Sequence, residues 1–100
     1  MKKILLVCNA GMSTSMLVQK MKKVAGEKGI EVTIDAIPST DLSTCWESAD
    51  VILLGPQIGF MKDSVKNTVE NKMPVEVINT IDYGRMNADK VLTVALDLIK

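Results

Sequence analysis

The sequence predicts an α/β domain with a parallel β-sheet, because short apolar runs alternate with longer amphipathic segments. Two of the apolar runs, residues 4–7 and Val51–Leu54, contain no polar residue. Continuous runs of this kind are typical of strands that are buried on both faces of a parallel sheet. Residues 30–37 instead alternate apolar and polar side chains, which predicts a strand at an edge of the sheet.

The amphipathic segments predict the helices. A helix over about residues 13–28 has an inward stripe of Leu17, Met21, Val24 and Ala25. Gly29 suits the turn that ends this helix. In chain order, the other elements are a short helix over 41–47, a strand over 51–54, a helix over about 58–71, a strand over 74–78 and a helix over about 87–99. Ser39 or Thr40 is expected to cap the short helix.

Four strands joined by helices predict a parallel sheet with right-handed crossovers, in the order 2-1-3-4 and with helices on both faces. This is a small flavodoxin-like arrangement, which low-molecular-weight tyrosine phosphatases share. In such sheets ligands bind beyond the carboxyl ends of the strands, where the winding reverses. We therefore expect three turns, residues 8–15, 55–59 and 79–85, to converge at one edge.

The composition narrows the possible partners. One hundred residues are enough for a single domain, residues 1–100, and for no second core. Twelve basic residues balance twelve acidic ones, and aromatic residues make up only 3% of the chain. Nucleic acid and anionic membranes are therefore not expected partners. The apolar run near the N-terminus is too short for a signal peptide, and no run is long enough to span a bilayer.

The cysteine and histidine content narrows the chemistry. The chain has two cysteines and no histidine. A tetrahedral zinc site of Cys and His ligands therefore has too few ligands, and a Ser-His-Asp triad or Cys-His pair is impossible. We expect no metal and no cofactor. A structural disulfide is not expected in a chain without secretory features.

The segment from Cys8 to Ser15 leaves a buried strand and opens a helix, and its composition favours an anion. Successive backbone N–H groups in such a turn form a concave nest, and the following helix adds the positive end of its dipole. Gly11 permits a close approach of the backbone, and Ser13 and Thr14 add hydroxyl donors, as does Ser15. The same field favours the thiolate form of Cys8, so a nucleophile and its phosphate cradle would be one structure.

A cysteine at a strand end is by itself more often a small buried hydrophobic residue than a nucleophile. Here the strand end, the cysteine, a glycine and three hydroxyl residues precede a helix together. That combination favours the functional interpretation of Cys8.

The run Cys8-Asn9-Ala10-Gly11-Met12-Ser13-Thr14-Ser15 resembles the phosphocysteine loop of lactose/cellobiose-type IIB components of sugar phosphotransferase systems. Further similarity lies at residues 49–58, 74–78 and 83–85, in the order and spacing of that family. The resemblance therefore covers nearly the whole chain, although residues 38–48 match the family poorly.

The resemblance implies a phosphotransferase in which Cys8 is the catalytic residue and residues 9–15 bind phosphate. Cys8 would accept phosphate from the phosphohistidine of a IIA partner. It would pass the group to a sugar held by a membrane-embedded IIC partner, such as cellobiose, lactose or chitobiose. The chain would then be cytoplasmic and peripheral to the membrane through IIC, without inserting into the bilayer itself.

A phosphatase with the same loop shape is one alternative. Low-molecular-weight tyrosine phosphatases place five residues between the cysteine and an arginine that clamps the phosphate. Counted from Cys8, that position holds Thr14, and no arginine lies in the loop. Asp82 is the only carboxylate that we place near the site as an acid for a leaving group. The missing arginine favours a carrier over a hydrolase.

A thiol redox protein is the other alternative, with Cys8 attacking and Cys45 resolving. The sequence has no Cys-x-x-Cys motif, and Cys45 lies in the segment that is hardest to place. We therefore interpret Cys45 as a structural residue.

Residues of the neighbouring turns are candidates for the rim of the site or for partner contacts: Met16, Gln57, Ile58, Phe60, Asp82 and Tyr83. We expect Met12, Met16, Phe60 and Met61 to form a shallow apolar ring around Cys8 that docks both partners. For Tyr83, packing at the edge of the core is slightly favoured over a contact with the loop. A solvated position is expected for Arg85.

Overall fold

The computed structural model describes residues 2–8 and 12–99, with Met12 and Ser13 described for the backbone alone. Within these ranges the strands are β1 (Lys2–Cys8), β2 (Val32–Pro38), β3 (Val51–Leu54) and β4 (Val75–Val77). The α-helices are α1 (Met12–Glu27), α2 (Leu42–Cys45), α3 (Lys62–Thr68), α4 (Thr80–Gly84) and α5 (Ala88–Leu98). The same ranges contain three 3₁₀ turns, at Ser39–Asp41, Trp46–Ser48 and Pro56–Met61.

The four strands form one parallel sheet in the order β2-β1-β3-β4, which confirms the predicted topology. Ile4 of β1 lies opposite Ile34 on one side and Val51 on the other. β1 and β3 are therefore the central strands, and every residue of β3 is buried. β2 lies at an edge, as its alternating sequence predicts.

Helices cover both faces of the sheet, as predicted. Ile4 and Leu6 of β1 pack in the core cluster that α1 and α5 contribute to. Leu5 and Val7 point the other way, into the cluster that holds residues of α2 and α3. Alternate residues of one strand therefore supply two separate cores. No helix in the described ranges is long and apolar enough to cross a membrane.

The end of α1 confirms the role predicted for Gly29. Its φ angle is +68°, in the left-handed region that favours glycine. The N–H of Gly29 donates to the carbonyl of Gly26, and the N–H of Ile30 donates to the carbonyl of Ala25. This pair of bonds is a Schellman motif. It also explains why β2 begins at Val32 rather than at residue 30, since the N–H of Ile30 is already used by the helix end.

Three local expectations were wrong. Ser39 and Thr40 do not cap the short helix, because the chain enters it through an extended Pro38 and a 3₁₀ turn without a side-chain cap. The predicted helix over 58–71 is a 3₁₀ turn followed by α3, and Ile58 has non-helical φ and ψ angles inside that turn. The segment after β4 was predicted as a turn but contains α4.

Candidate active site

Cys8 is the last residue of β1, at the carboxyl edge of the sheet, and lies opposite Pro38 of β2. It is 3% exposed. Such burial is equally typical of a structural cysteine, so it does not by itself indicate a function. The place of Cys8 in the sheet is more informative. The end of β1 adjoins β2 on one side and β3 on the other, and α1 begins four residues later. Cys8 therefore lies at the point where the winding of the sheet reverses.

The turn after β3 lies directly against Cys8. Gly55 is buried, and its N–H donates to the carbonyl of Val7 at 2.9 Å. A Cβ atom on Gly55 would lie 3.8 Å from Cβ of Cys8 and 3.0 Å from Oε1 of Gln57. The exposed Gln57 thus folds its amide back over Gly55, beside the cysteine. This supports the prediction that Gln57 lies at the rim of the site.

The turn after β4 is tied to α1 by a side-chain hydrogen bond. The hydroxyl of Tyr83 in α4 and Oγ1 of Thr14 in α1 are 2.9 Å apart, and either can be the donor. Thr14 is 1% exposed, whereas Tyr83 is half-buried and packs against the core cluster of α1 and α5. Tyr83 therefore combines both predicted roles, since it packs at the edge of the core and also contacts the segment that follows Cys8.

The predicted convergence of three turns is thus present in the described residues. Gly55 joins the end of β3 to the end of β1, and Tyr83 joins α4 to the first turn of α1. Residues 9–11 of the predicted phosphate loop (Asn9, Ala10 and Gly11) lie outside the described residues, as do the side chains of Met12 and Ser13. Their predicted contacts with phosphate remain predictions. Ser15 is exposed on α1.

Two members of the predicted apolar ring are strongly exposed. Phe60 is 84% exposed in the 3₁₀ turn after β3, and Met16 is 56% exposed on α1. Met61 is half-buried and packs against the core cluster of α2 and α3. Because exposed aromatic and methionine side chains do not contribute to the core, Phe60 and Met16 are available for contacts with another protein.

Ile58 does not lie on the rim, contrary to the prediction. It is 1% exposed and packs in the core cluster of α2 and α3. The kinked 3₁₀ turn over Pro56–Met61 rotates this side chain inward while leaving Phe60 in solvent. An apolar core position between a glycine turn and α3 explains the residue type.

Asp82 and Arg85 are not drawn towards Cys8 by any hydrogen bond or ion pair within the described residues. Asp82 lines a cavity of about 220 Å³ between β4, α4 and α5, together with Asn79 and Lys90. That lining includes no described residue of the segment from Cys8 to Ser15. Arg85 is exposed at the end of α4, as expected. Within the described residues, no hydrogen bond or ion pair places Asp82 as an acid beside Cys8.

The two cysteines are free thiols on different parts of the fold. Cys45 lies in α2, which packs on the face of the sheet that Leu5 and Val7 occupy. Strand alternation places Cys8 on the opposite face, with Ile4 and Leu6. This arrangement argues against a disulfide between Cys8 and Cys45.

An ion pair between α3 and β4 lowers the pKa of one carboxyl group. A hydrogen bond and ion pair from Lys62, 2.7 Å away, hold the pKa of Glu76 below its usual value. Both side chains are well exposed, so the pair contributes less than about 1 kcal/mol to stability. A depressed pKa stabilises the fold above the unfolded pKa, and this contribution is lost as the pH falls through the folded pKa.

Sequence reasoning missed α4 and the Tyr83–Thr14 bond. A signal for the helix was present, because Asn79 is followed three residues later by Asp82, a pattern close to a capping box. The side chain of Asn79 indeed accepts hydrogen bonds from the N–H groups of Ile81 and Asp82, at 2.8 and 3.2 Å. No local signal could have paired Thr14 with a residue 69 positions away.

Comparison with known proteins identifies the family. Residues 3–94 match the family described as "PTS system, Lactose/Cellobiose specific IIB subunit". The chain belongs to this family. The PTS system galactose-specific EIIB component of Lactococcus lactis subsp. cremoris (strain MG1363) is 45% identical to this IIB chain, over 98% of the chain and 96% of its own length.

Solved structures of IIB components agree with this fold. The solution structure of a cellobiose-specific phosphotransferase IIB component protein from Borrelia burgdorferi is 50% identical, with a TM-score of 0.82 over 98% of this chain and 91% of that one. The lactose-specific IIB component domain from Streptococcus pneumoniae has a TM-score of 0.88 over 99% and 98% of the two chains. At 17% identity the second comparison shows the fold alone.

The family assignment settles the general role and leaves the sugar open. This chain is a sugar-specific IIB component of the cellobiose/lactose type, and such components work with IIA and IIC partners. The similar proteins at 45% and 50% identity are named for galactose and for cellobiose. Proteins of similar identity to this chain are thus named for different sugars.

Proposed function

We propose that this IIB chain is a phosphoryl carrier that holds phosphate on the thiolate of Cys8. The observation that supports this most directly is the position of Cys8, at the carboxyl end of a central strand and four residues before the N-terminus of a 16-residue helix. A helix N-terminus offers unpaired N–H groups and a positive dipole end to an anion. Residues 9–15 would hold the phosphoryl group there, and Met12 and Ser13 begin that helix.

The transfer consists of two displacements at phosphorus. In the first, the Cys8 thiolate attacks the phosphohistidine of IIA, an S–P bond forms, and the electron pair of the broken N–P bond returns to the imidazole. In the second, a sugar hydroxyl held by IIC attacks, the S–P bond breaks and the thiolate is regenerated. The hydroxyl proton passes to water or to a base of the partner. Positioning by the two partners supplies most of the catalysis.

The proposed sugar is a β-linked disaccharide such as cellobiose, lactose or chitobiose. The description of the family and the names of two similar IIB components support this class, although another similar component is galactose-specific. In this proposal the chain is cytoplasmic and reaches the membrane only through IIC. Because IIC holds the sugar, the IIB chain itself needs no sugar pocket.

Intact mass measurement tests the carrier. The pure protein is incubated with phosphoenolpyruvate, the general phosphotransferase proteins and a matching IIA, and the sample avoids acid and heat because a thiophosphate ester is labile. We expect a gain of one phosphoryl group by the native chain and by Cys45→Ser, and none by Cys8→Ser. Ser is close in volume to Cys, so both variants should fold, which circular dichroism checks.

Other outcomes of that experiment distinguish the alternatives. An adduct that persists in Cys8→Ser would show that another residue carries phosphate. No adduct with any IIA would reject the carrier, and hydrolysis of an aryl phosphate by the native chain would then support the phosphatase. A Cys8–Cys45 disulfide in mildly oxidised protein would support the redox alternative.

A further inference from the structure

We infer that Tyr83 is a positioning residue for phosphoryl transfer, which acts through its hydrogen bond to Thr14. The inference rests on the proposed function of Cys8. The bond between the two hydroxyl oxygens is 2.9 Å long and joins α4 to the first turn of α1. It therefore links the segment after β4 to the helix that follows the nucleophile.

Thr14 is an unusual residue in this fold. Among the described residues it is the one polar side chain that is fully buried, at 1% exposed. Burying a hydroxyl is unfavourable unless a partner satisfies it, and Tyr83 is the partner that the structure provides. Thr14 is also β-branched, which restricts its χ1 rotamer within a helix. The orientation of its hydroxyl is thus determined by its environment rather than by solvent.

Tyr83 is held in place from two directions. Its ring packs against the core cluster of α1 and α5. Its N–H donates to the carbonyl of Asn79 at 2.9 Å, and the Asn79 side chain caps the same short helix. The phenol hydroxyl is therefore presented to Thr14 by a rigid support, which is what a positioning role requires.

The two hydroxyls can arrange their protons in two ways. If Thr14 donates to Tyr83, the threonine presents only lone pairs to its surroundings. If Tyr83 donates, the proton of Thr14 is free to point at an anion. A phosphoryl dianion near the start of α1 favours the second arrangement, and a chain of two such bonds polarises and strengthens each one. Tyr83 thereby makes Thr14 a better donor at the moment when negative charge arrives.

This neutral hydroxyl pair includes Thr14, the position at which the phosphatases of the same fold place an arginine, with five residues between it and the cysteine. A hydroxyl pair stabilises the phosphoryl group less than a bidentate guanidinium does. Weak stabilisation suits a group that must leave again for the sugar. The pair therefore adjusts the stability of phosphocysteine without trapping it.

Tyr83→Phe tests the inference because it removes one oxygen and keeps the packing ring. Two quantities are measured: the single-turnover rate of Cys8 phosphorylation by phospho-IIA, and the ³¹P NMR titration of phosphocysteine between its mono- and dianion. We expect a rate lower by about tenfold and a titration displaced to higher pH, because the dianion loses a polarised donor. Thr14→Val, which removes the other hydroxyl of the pair, should lower the rate at least as far.

Two further variants make the test specific. Thr93→Val removes a threonine hydroxyl from α5 that bonds the carbonyl of Asp89, so it should alter neither measurement. The double variant Tyr83→Phe/Thr14→Val should be phosphorylated at the same rate as Thr14→Val alone. The reason is that Tyr83 acts only through the hydroxyl of Thr14.

The outcomes separate the inference from the proposed function. If the native chain takes up no phosphate, the proposed function fails and the inference falls with it. If the native chain is phosphorylated and Tyr83→Phe shows the same rate and the same ³¹P titration, only the inference is rejected. If Tyr83→Phe lowers the melting temperature but leaves the transfer rate unchanged, Tyr83 serves packing alone, and the inference is again rejected.

Discussion

Gly55 lies beside Cys8, and its lack of a side chain leaves space there. Its φ and ψ angles, −60° and 146°, are open to any residue, so conformation does not require glycine here. Space is the reason, because the position faces Cβ of Cys8 and the amide of Gln57. A glycine lets β3 and its turn approach the end of β1 closely and leaves room beside the thiol.

Gly55→Ala should separate folding from transfer. The new methyl group would meet Cys8 and Val7 at ordinary contact distances, and the exposed Gln57 side chain can swing aside. We expect the free energy of unfolding to change by less than about 1 kcal/mol. The rate of phosphoryl transfer from IIA should fall by about tenfold, because the methyl group crowds the nucleophile and displaces the amide.

Gly84→Ala is the matched control for that experiment. A Cβ at Gly84 would have no atom within 4 Å, so neither stability nor transfer should decrease. Urea denaturation and single-turnover kinetics measure the two quantities. Equal transfer rates in the two variants would show that Gly55 has no special role beside Cys8.

At the scale of elements, α1 is the helix on which the site depends. It begins near Cys8 and ends at a Schellman motif, with Gly26 inside its last turn and Gly29 just beyond. The two glycines look alike in the sequence but differ in conformation. Gly29 has a φ angle of +68°, whereas no positive φ angle is found at Gly26.

Alanine substitutions at these two positions should have opposite signs. Gly26→Ala should stabilise the protein by about 0.5–1 kcal/mol, because alanine favours helical backbone and nothing lies within 4 Å of the new Cβ. Gly29→Ala should destabilise it by about 1–2 kcal/mol, because the left-handed conformation is strained for an L-residue. The midpoint of urea unfolding, at constant slope, measures both. Two changes of the same sign would contradict this account of the helix end.

At the scale of the whole molecule, two exposed apolar side chains lie on the elements that follow β1 and β3 in the chain. Phe60 lies in the turn after β3 and Met16 lies on α1, and both side chains are largely exposed. Most other large apolar side chains of the described ranges are at least half-buried. We expect Phe60 to be a docking residue for the partners of the proposed carrier, because an exposed aromatic side chain does not contribute to the core.

Phe60→Ser should weaken transfer without unfolding the protein. We expect the KM for phospho-IIA to rise by about tenfold, because docking loses its aromatic contact. The melting temperature should hardly change, since the ring is 84% exposed. Val94→Ser, on α5, is the control for the loss of a solvent-facing apolar side chain and should leave the KM unaltered. Unchanged transfer kinetics in Phe60→Ser would reject the docking role.

Prediction and structure agree for some residues and disagree for others, and each case has a physical reason. The buried strand β3 was predicted to the residue, because a continuous apolar run has one stable environment, the centre of a parallel sheet. Ile58 was misplaced because an apolar residue in a turn fits the rim and the core equally well by sequence. The kink of the 3₁₀ turn decided that it faces the core. For α4, five residues were too few to show helical periodicity.

By itself, the sequence determined the order of strands and helices, the parallel sheet, the position of Cys8 at a strand end and the resemblance to IIB components. These features follow from local patterns of apolar residues, glycines and hydroxyls, which act over a few neighbouring positions. Only the tertiary structure decided that Gly55 lies against Cys8 and that Tyr83 bonds to Thr14. Both contacts join residues far apart in the chain, and they exist because the parallel sheet brings the carboxyl ends of β1, β3 and β4 to one edge.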